Sequence, residues 1–358
     1  MAIIDPYSNE LHQDYKKIID NFGLETFKLD LFPEPNKLMR RNLVFAGRDM
    51  NSISERIKKN KPFYVLTGIM PSSDKIHLGT KTVIEQVKYF QDRGAETYVL
   101  VADLESMMTR GISLEEAQKR ALNFYIPAYF ALGLDPKKTN FYFQSENKKV
   151  MHLAYKFASK VTQNEYKAIY GSNEPNRILS ALTQAGDILF PQLLKKMPGI
   201  IPVGIDQDPH IRLTRDIVRR SKDMKLFLPS SIYHQFTPSL DGSMKMSKSK
   251  SSGNIELPEE QNTACKKIKR AVTGGRATLE EHRKLGAEVE KCMVFNLLKT
   301  HLIEDDDELD KIHAEYKSGK MTSGEIKEIA CNKMNKFLEN FNNNIQKHKN
   351  TKINFLKF

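Results

Sequence analysis

The stretch from Phe63 to Ala102 limits the fold of this chain more than any other. Phe63-Tyr64-Val65-Leu66-Thr67 is a short β-rich run that halts at Gly68, and beyond a Pro-Ser-Ser loop Val83, Ile84, Val87 and Phe90 recur at helical spacing. Gly94 ends that helix, and Tyr98-Val99-Leu100-Val101-Ala102 follows as a second apolar strand. Strand, loop, helix and strand within about 40 residues make a βαβ unit, which commits the chain to a parallel sheet with a right-handed crossover.

The alternation continues with a helix over Leu114 to Leu132, a strand at Asn140-Phe141-Tyr142-Phe143-Gln144, helices through about Leu194 and a strand at Ile200-Ile201-Pro202-Val203. This is the pattern of a doubly wound, Rossmann-like α/β sheet, whose ligands bind outside the carboxyl ends of the strands. After Gly253-Asn254 the strand signals vanish. From Pro258 to about Gln346 the chain reads as amphipathic helices, broken at Thr273-Gly274-Gly275 and Ser318-Gly319. Three parts are therefore expected. Residues 1–60 form a mostly helical extension packed on the next part, 61–255 the doubly wound α/β domain, and 256–358 an all-α domain.

Composition excludes several classes. No apolar run approaches the roughly 18 residues of a membrane-spanning helix, and the mean hydropathy is −0.51. Met1-Ala2-Ile3-Ile4-Asp5-Pro6 lacks the basic start and apolar stretch of a secretory signal, so a cytoplasmic protein is expected. Cys265, Cys292 and Cys331 are far apart and odd in number, which supports neither a disulfide framework nor a metal site. The net charge of +12 favours a polyanionic partner, and only +2 of it falls from Glu256 onward. The first two-thirds of the chain should supply most of the phosphate contacts.

Two constellations carry chemistry. The turn after the first strand, Gly68-Ile69-Met70-Pro71-Ser72-Ser73-Asp74-Lys75-Ile76-His77-Leu78-Gly79-Thr80, has neither a Gly-x-Gly-x-x-Gly fingerprint nor a P-loop. It offers instead an imidazole at a helix start, where backbone N–H groups favour phosphate, and Gly79, whose bare backbone a flat base can approach. The second is Met244-Lys245-Met246-Ser247-Lys248-Ser249-Lys250. Read alone it is a solvated lysine loop; its ammonium groups could also clamp a triphosphate and stabilise departing pyrophosphate.

Together, His-x-Gly after the first strand and Lys-Met-Ser-Lys-Ser after the last resemble the paired signature of class I aminoacyl-tRNA synthetases. A third run, Pro202-Val203-Gly204-Ile205-Asp206-Gln207-Asp208-Pro209-His210-Ile211-Arg212-Leu213-Thr214-Arg215-Asp216, is similar to the Asp-Gln segment of the tryptophanyl- and tyrosyl-tRNA synthetases, and its continuation from Asp208 resembles the tryptophanyl enzymes of archaea and eukaryotes. Phe45-Ala46-Gly47-Arg48-Asp49-Met50-Asn51 and Gly274-Gly275-Arg276-Ala277-Thr278-Leu279-Glu280-Glu281-His282-Arg283 extend the resemblance over nearly the whole chain.

The resemblance implies activation of L-tryptophan by ATP with Mg²⁺, transfer to tRNA(Trp), a homodimer, and no tightly bound cofactor or resident metal. It places Gly68, Met70, His77, Gly79, Asp206, Met246, Ser247 and Lys248 around ATP. Lys245, Lys248, His77 and Thr80 become the groups that act on the phosphates. Leu66, Glu105, Gln184, Asp187 and Gln207 surround tryptophan, and Arg276 lies in the anticodon region. Asp187, three residues after Gln184, shares its helix face, and a buried carboxylate there needs a donor such as an indole N–H. Leu66 takes the place where tyrosyl enzymes carry a Tyr; Leu66 and Leu100 take the places of the eukaryotic Tyr and Gln of the indole pocket. Thr80 replaces a second His, and Ala277 an acid. These departures keep two alternatives in view, a tyrosyl-specific enzyme and a catalytically weak paralogue that binds RNA.

Overall fold

The computed structural model describes residues 15–243, 246 and 253–358. Ten strands are numbered here in chain order: β1 (Glu25–Thr26), β2 (Val44–Arg48), β3 (Tyr64–Ile69), β4 (Ile76–His77), β5 (Glu96–Val101), β6 (Thr139–Phe143), β7 (Gly199–Gly204), β8 (Ser230–His234), β9 (Glu256–Leu257) and β10 (Asn354–Phe355). Eight of them form one sheet in the order β1-β2-β8-β7-β3-β5-β6-β10, and β4 pairs with β9. The pairs from β8 through β10 are parallel; β1 with β2 and β2 with β8 are antiparallel.

The four strands expected from sequence are β3, β5, β6 and β7. From β3 the chain winds outward through β5 to β6, then returns to lay β7 on the other side of β3. That reversal is the switch point of a doubly wound sheet, and ligand space opens there because neighbouring crossovers depart in opposite directions. Strands β3 and β7 pair only at Tyr64↔Gly199 and Val65↔Ile200. Their carboxyl halves part beyond that register.

Gly199 makes the close packing at the base of this opening possible. A Cβ there would stand 2.0 Å from the Tyr64 ring, so only glycine lets the phenol cross β7. The Tyr64 hydroxyl then donates to the Ile188 carbonyl at 2.7 Å. In this way the sheet holds the Pro175–Leu189 helix that carries Gln184 and Asp187.

Elsewhere the structure corrects the expectation. Residues 1–60 are expected to be mostly helical; helices do predominate among those described, but this part also carries β2, an inner strand of the sheet with Val44, Phe45, Ala46 and Gly47 buried. A short apolar run carries no periodicity that separates a buried strand from a buried helix, and β8, Ser-Ser-Ile-Tyr-His, has too few apolar residues to read as a strand at all. Strand signals were expected to end at Asn254. The chain instead returns at β10 to pair with β6, where Phe355 stacks on Phe143 at 5.2 Å. The helix expected over Leu114–Leu132 is interrupted by a π-turn at Ala121–Tyr125, just before Pro127, which has no N–H to give.

The helices from Gln261–Arg270 to Ser323–His348 share one apolar core with the sheet's helices: Phe32, Leu38 and Phe90 belong to the same buried cluster as Leu298, Met334 and Phe341. Ion pairs reinforce this seam, Arg40 and Arg41 both meeting Asp306 at 2.6 and 2.7 Å.

Candidate active site

A cleft of about 380 Å³ opens at the carboxyl ends of β3, β5 and β7. Leu66, Gly68, Met70, His77, Gly79, Thr80, Glu105, Gln184, Asp187, Asp206, Gln207 and Met246 all line it, as does Leu100. Thus residues from three distant motifs meet in one place. Lys245, Ser247 and Lys248 lie outside the described residues. Arg276 does not line the cleft; it donates to the Gly286 carbonyl and to Glu288, both at 2.9 Å, within the helical part.

Local chemistry fixes each part. His77 is the N-cap of the Leu78–Asp92 helix, its Nδ1 accepting the Gly79 N–H at 3.1 Å. An accepting Nδ1 leaves the ring proton on Nε2 in the neutral imidazole, so His77 presents a donor beside a positive helix end. Strand β4, which ends at His77, pairs with Glu256–Leu257, and Lys75 meets Glu256 at 2.9 Å. The first signature is therefore tied to the chain just beyond the second. On the opposite wall, buried Asp208 anchors the Asp206-Gln207 turn: it takes Arg48 at 2.8 Å and the Tyr233 hydroxyl at 2.5 Å.

Asp187 is fully buried. Tyr142 donates to one of its oxygens at 2.9 Å and Gln144 to the other at 2.5 Å. Burial pushes its carboxyl up to about 7, against these two hydrogen bonds and with help from the negative field of Glu105 and Asp103. Burial likewise raises Glu105, opposed by Ser180 and Arg110. Two imidazoles in the lining go the other way. Desolvation holds His210 and His234 down to about 4, so both are neutral at pH 7.

Sequence reasoning missed Tyr142, Gln144, His210 and His234. Tyr142 and Gln144 stood two residues apart in an expected strand, and that period puts both on one face. Their shared direction was readable, but the helix they face was not. His210 sits in the Asp-Gln run, its Nδ1 2.9 Å from the Tyr170 hydroxyl. His234 belongs to β8, which gave no signal.

Comparison with known proteins agrees with this geometry. Residues 58–339 match the family model of class I tRNA synthetases (W and Y). The tryptophan–tRNA ligase of Methanocaldococcus jannaschii is 41% identical over 99% of this chain and 98% of its own length, and that of Aeropyrum pernix 40% identical over 97% and 95%. Among solved structures, the tryptophanyl-tRNA synthetase of A. pernix superposes with a TM-score of 0.89 at 41% identity, over 94% of each chain. The Encephalitozoon cuniculi enzyme bound to tryptophan superposes at 0.83 and 29% identity, over 94% of this chain and 95% of its own.

Proposed function

Since the chain belongs to the class I tRNA synthetases of the tryptophan and tyrosine group, we infer that it is a tryptophan–tRNA ligase. It activates L-tryptophan with ATP and passes the acyl group to its tRNA. The observation that carries this reading is the near full-length likeness to tryptophan–tRNA ligases, combined with a switch-point cleft that gathers the family's motif residues. The tyrosyl-specific and silent alternatives have no support in these likenesses. Pyrophosphate exchange tests it: exchange should depend on tryptophan and not on tyrosine. Tyrosine-driven exchange, or none with either amino acid, would overturn it.

Within that function the residue roles are our assignment. The amino-acid side of the cleft has the aliphatic walls Leu66 and Leu100, suited to a bicyclic ring, with Asp187 as acceptor for the indole N–H. Glu105, Gln184 and Gln207 serve the ammonium and carboxylate, and Asp206 the ribose. No protein nucleophile is needed. The tryptophan carboxylate attacks the α-phosphorus of ATP, pyrophosphate departs, and the chain's contribution is alignment and electrostatic stabilisation. Mg²⁺ enters with ATP as part of the substrate. His77, by its Nε2–H, and Thr80, by a hydroxyl where relatives use a second imidazole, meet the phosphates.

Gly79 gives a direct test of the nucleotide side. A Cβ at Gly79 would lie 2.8 and 2.9 Å from the His77 ring atoms Cε1 and Nδ1. Gly79→Ala should therefore displace the imidazole and crowd the base, raising KM for ATP roughly tenfold while leaving KM for tryptophan nearly unchanged. Equal effects on both constants would place the nucleotide elsewhere.

The helical part is assigned to the tRNA anticodon. Its near-neutral charge suits recognition by shape and unstacked bases, whereas the basic first two-thirds suits phosphates. Arg276→Ala should impair aminoacylation and spare exchange, measured side by side; equal loss would make its bonds to Gly286 and Glu288 its whole role. A homodimer and a cytoplasmic setting belong to the same reading, the latter supported by three free thiols. Among the described residues no helix is long and apolar enough to cross a membrane.

A further inference from the structure

Three parts of the molecule that are far apart in sequence meet at Thr237. Its hydroxyl lies 3.1 Å from His301 Nε2 and 3.5 Å from the Thr82 hydroxyl, and its carbonyl accepts the Met246 N–H at 3.0 Å. Thr82 rides on the helix opened by His77 and Gly79. Met246 belongs to the lysine-rich signature and, like Thr237, lines the cleft. His301 comes from the helical part, in the π-turn Leu298–Leu302.

The imidazole of His301 is 2% exposed, and its Nδ1 has no hydrogen-bond partner among the described residues. Desolvation, the ammonium groups of Lys81 and Lys37, and His77 all hold the ring well below its ordinary value, so it is neutral. Lys81 pairs with Glu85, and Lys37 bridges Glu85 at 3.1 Å and Glu304. Thr82 gives its own hydrogen to the Leu78 carbonyl at 3.4 Å, so Thr237 donates to Thr82 and its oxygen is left to accept, which puts the imidazole proton on Nε2 and the bare lone pair on Nδ1. The Nε2–H then donates to Thr237, and the threonine's own hydrogen remains for Thr82.

We propose that His301 is a positioning residue for the nucleotide end of the cleft: by holding the Thr237 side chain it fixes the carbonyl that anchors Met246 and the spacing of that anchor to the His-x-Gly helix. The helical part thus takes a share in shaping the ATP site, although it contributes no residue to the cleft's lining among those described. This rests on the cleft being the ATP site of a tryptophan-activating enzyme. A bulk effect on folding would weaken both substrates alike, whereas loss of this one bond acts on the nucleotide end.

The discriminating pair of variants is His301→Gln and His301→Asn. A glutamine amide nitrogen reaches the place of Nε2; an asparagine amide stops short, near Nδ1. In pyrophosphate exchange His301→Asn should raise KM for ATP roughly tenfold and change KM for tryptophan less than about twofold, with His301→Gln returning to within about twofold of wild type. The double variant with Thr237→Val should add little beyond His301→Asn alone. Equal KM changes for both substrates, an unchanged ATP constant, or no difference between Gln and Asn would each overturn the proposal. Should His301→Asn fail to fold, nitrogen-15 shifts of the wild-type imidazole carry the test. A proton on Nε2 and a resonance that moves with ATP but not with tryptophan support the proposal; a proton on Nδ1, or no response to ATP, sinks it. Wild-type enzyme that shows no tryptophan-dependent exchange would instead refute the functional reading itself, a distinct result.

Discussion

Replacing Asp187 with Ala lowers kcat/KM for tryptophan in pyrophosphate exchange by about 10²–10³, equivalent to about 3–4 kcal/mol of transition-state stabilisation, while KM for ATP barely moves. The reason is desolvation. In a fully buried site the indole N–H cannot turn to water when its acceptor is removed, and a charged acceptor makes the stronger bond. Tyr142 and Gln144 lose their shared acceptor as well, so thermal stability should fall by about 1–3 kcal/mol. Folding damage and recognition are separated by an analogue whose ring N–H is replaced by sulfur. The wild type should activate it poorly, and Asp187→Ala should reject it relatively less. Discrimination that survives intact in the variant would mean another group reads the indole, with Gln184 the first to examine.

The same carboxyl gives a pH signature with a defined sign. Its folded pKa of about 7 lies above the ordinary 3.8, so between those values the folded state holds a proton that the unfolded chain has lost. Stability from this group is therefore fully present below about 4 and falls as pH rises to about 7. Substrate recognition has the opposite slope, because the ionised form is the better acceptor: kcat/KM for tryptophan, which reports the free enzyme, should rise through about pH 7. Asp187→Asn should flatten both profiles. Opposed slopes that vanish together identify one group, whereas a rise that persists in Asp187→Asn points to a different titration.

How much of this was legible beforehand follows from range of interaction. Strands β3, β5, β6 and β7 announced themselves because apolar runs bounded by Gly and Pro are local signals. Their parallel order followed from handedness, and the cleft's place from the winding reversal. The convergence of Leu66, Glu105, Gln184, Asp187 and Asp206 on one space was expected from the family resemblance together with the switch-point rule. Tyr142 and Gln144 were hidden for a different reason. That they bond Asp187 depends on how far the Pro175–Leu189 helix sinks toward β6, which the Tyr64 bond to Ile188 and the Gly199 gap decide. Strands β2, β8 and β10 were invisible because each is defined by a partner far away in sequence, not by a pattern of its own. The contact of His301 with Thr237, 64 residues apart, belongs to the same class.

Lys248→Ala should cut the turnover number for adenylate formation by about 10² or more with little change in KM for tryptophan. The described lining of the cleft makes the case sharper than the motif alone does. It contains no Lys or Arg, and the two buried imidazoles in it, His210 and His234, are neutral at pH 7 because desolvation holds them to about 4. The His77 N–H and the helix N-terminus provide dipoles rather than a full charge. Pyrophosphate leaves carrying several negative charges, and a dipole is a weak substitute for an ammonium group. Lys245 and Lys248 flank Met246 in sequence, and Met246 does line the cleft. The missing positive charge is thus assigned to them. Lys245→Ala should act in the same direction, and the double variant should lose less than the product of the single losses, since two cations on one leaving group act as a unit. Single-turnover measurement of adenylate formation at saturating ATP and tryptophan isolates the chemical step. An unchanged rate in Lys248→Ala would show that the signature lysines are solvated surface charges and that the substrate's own Mg²⁺ meets the leaving group alone.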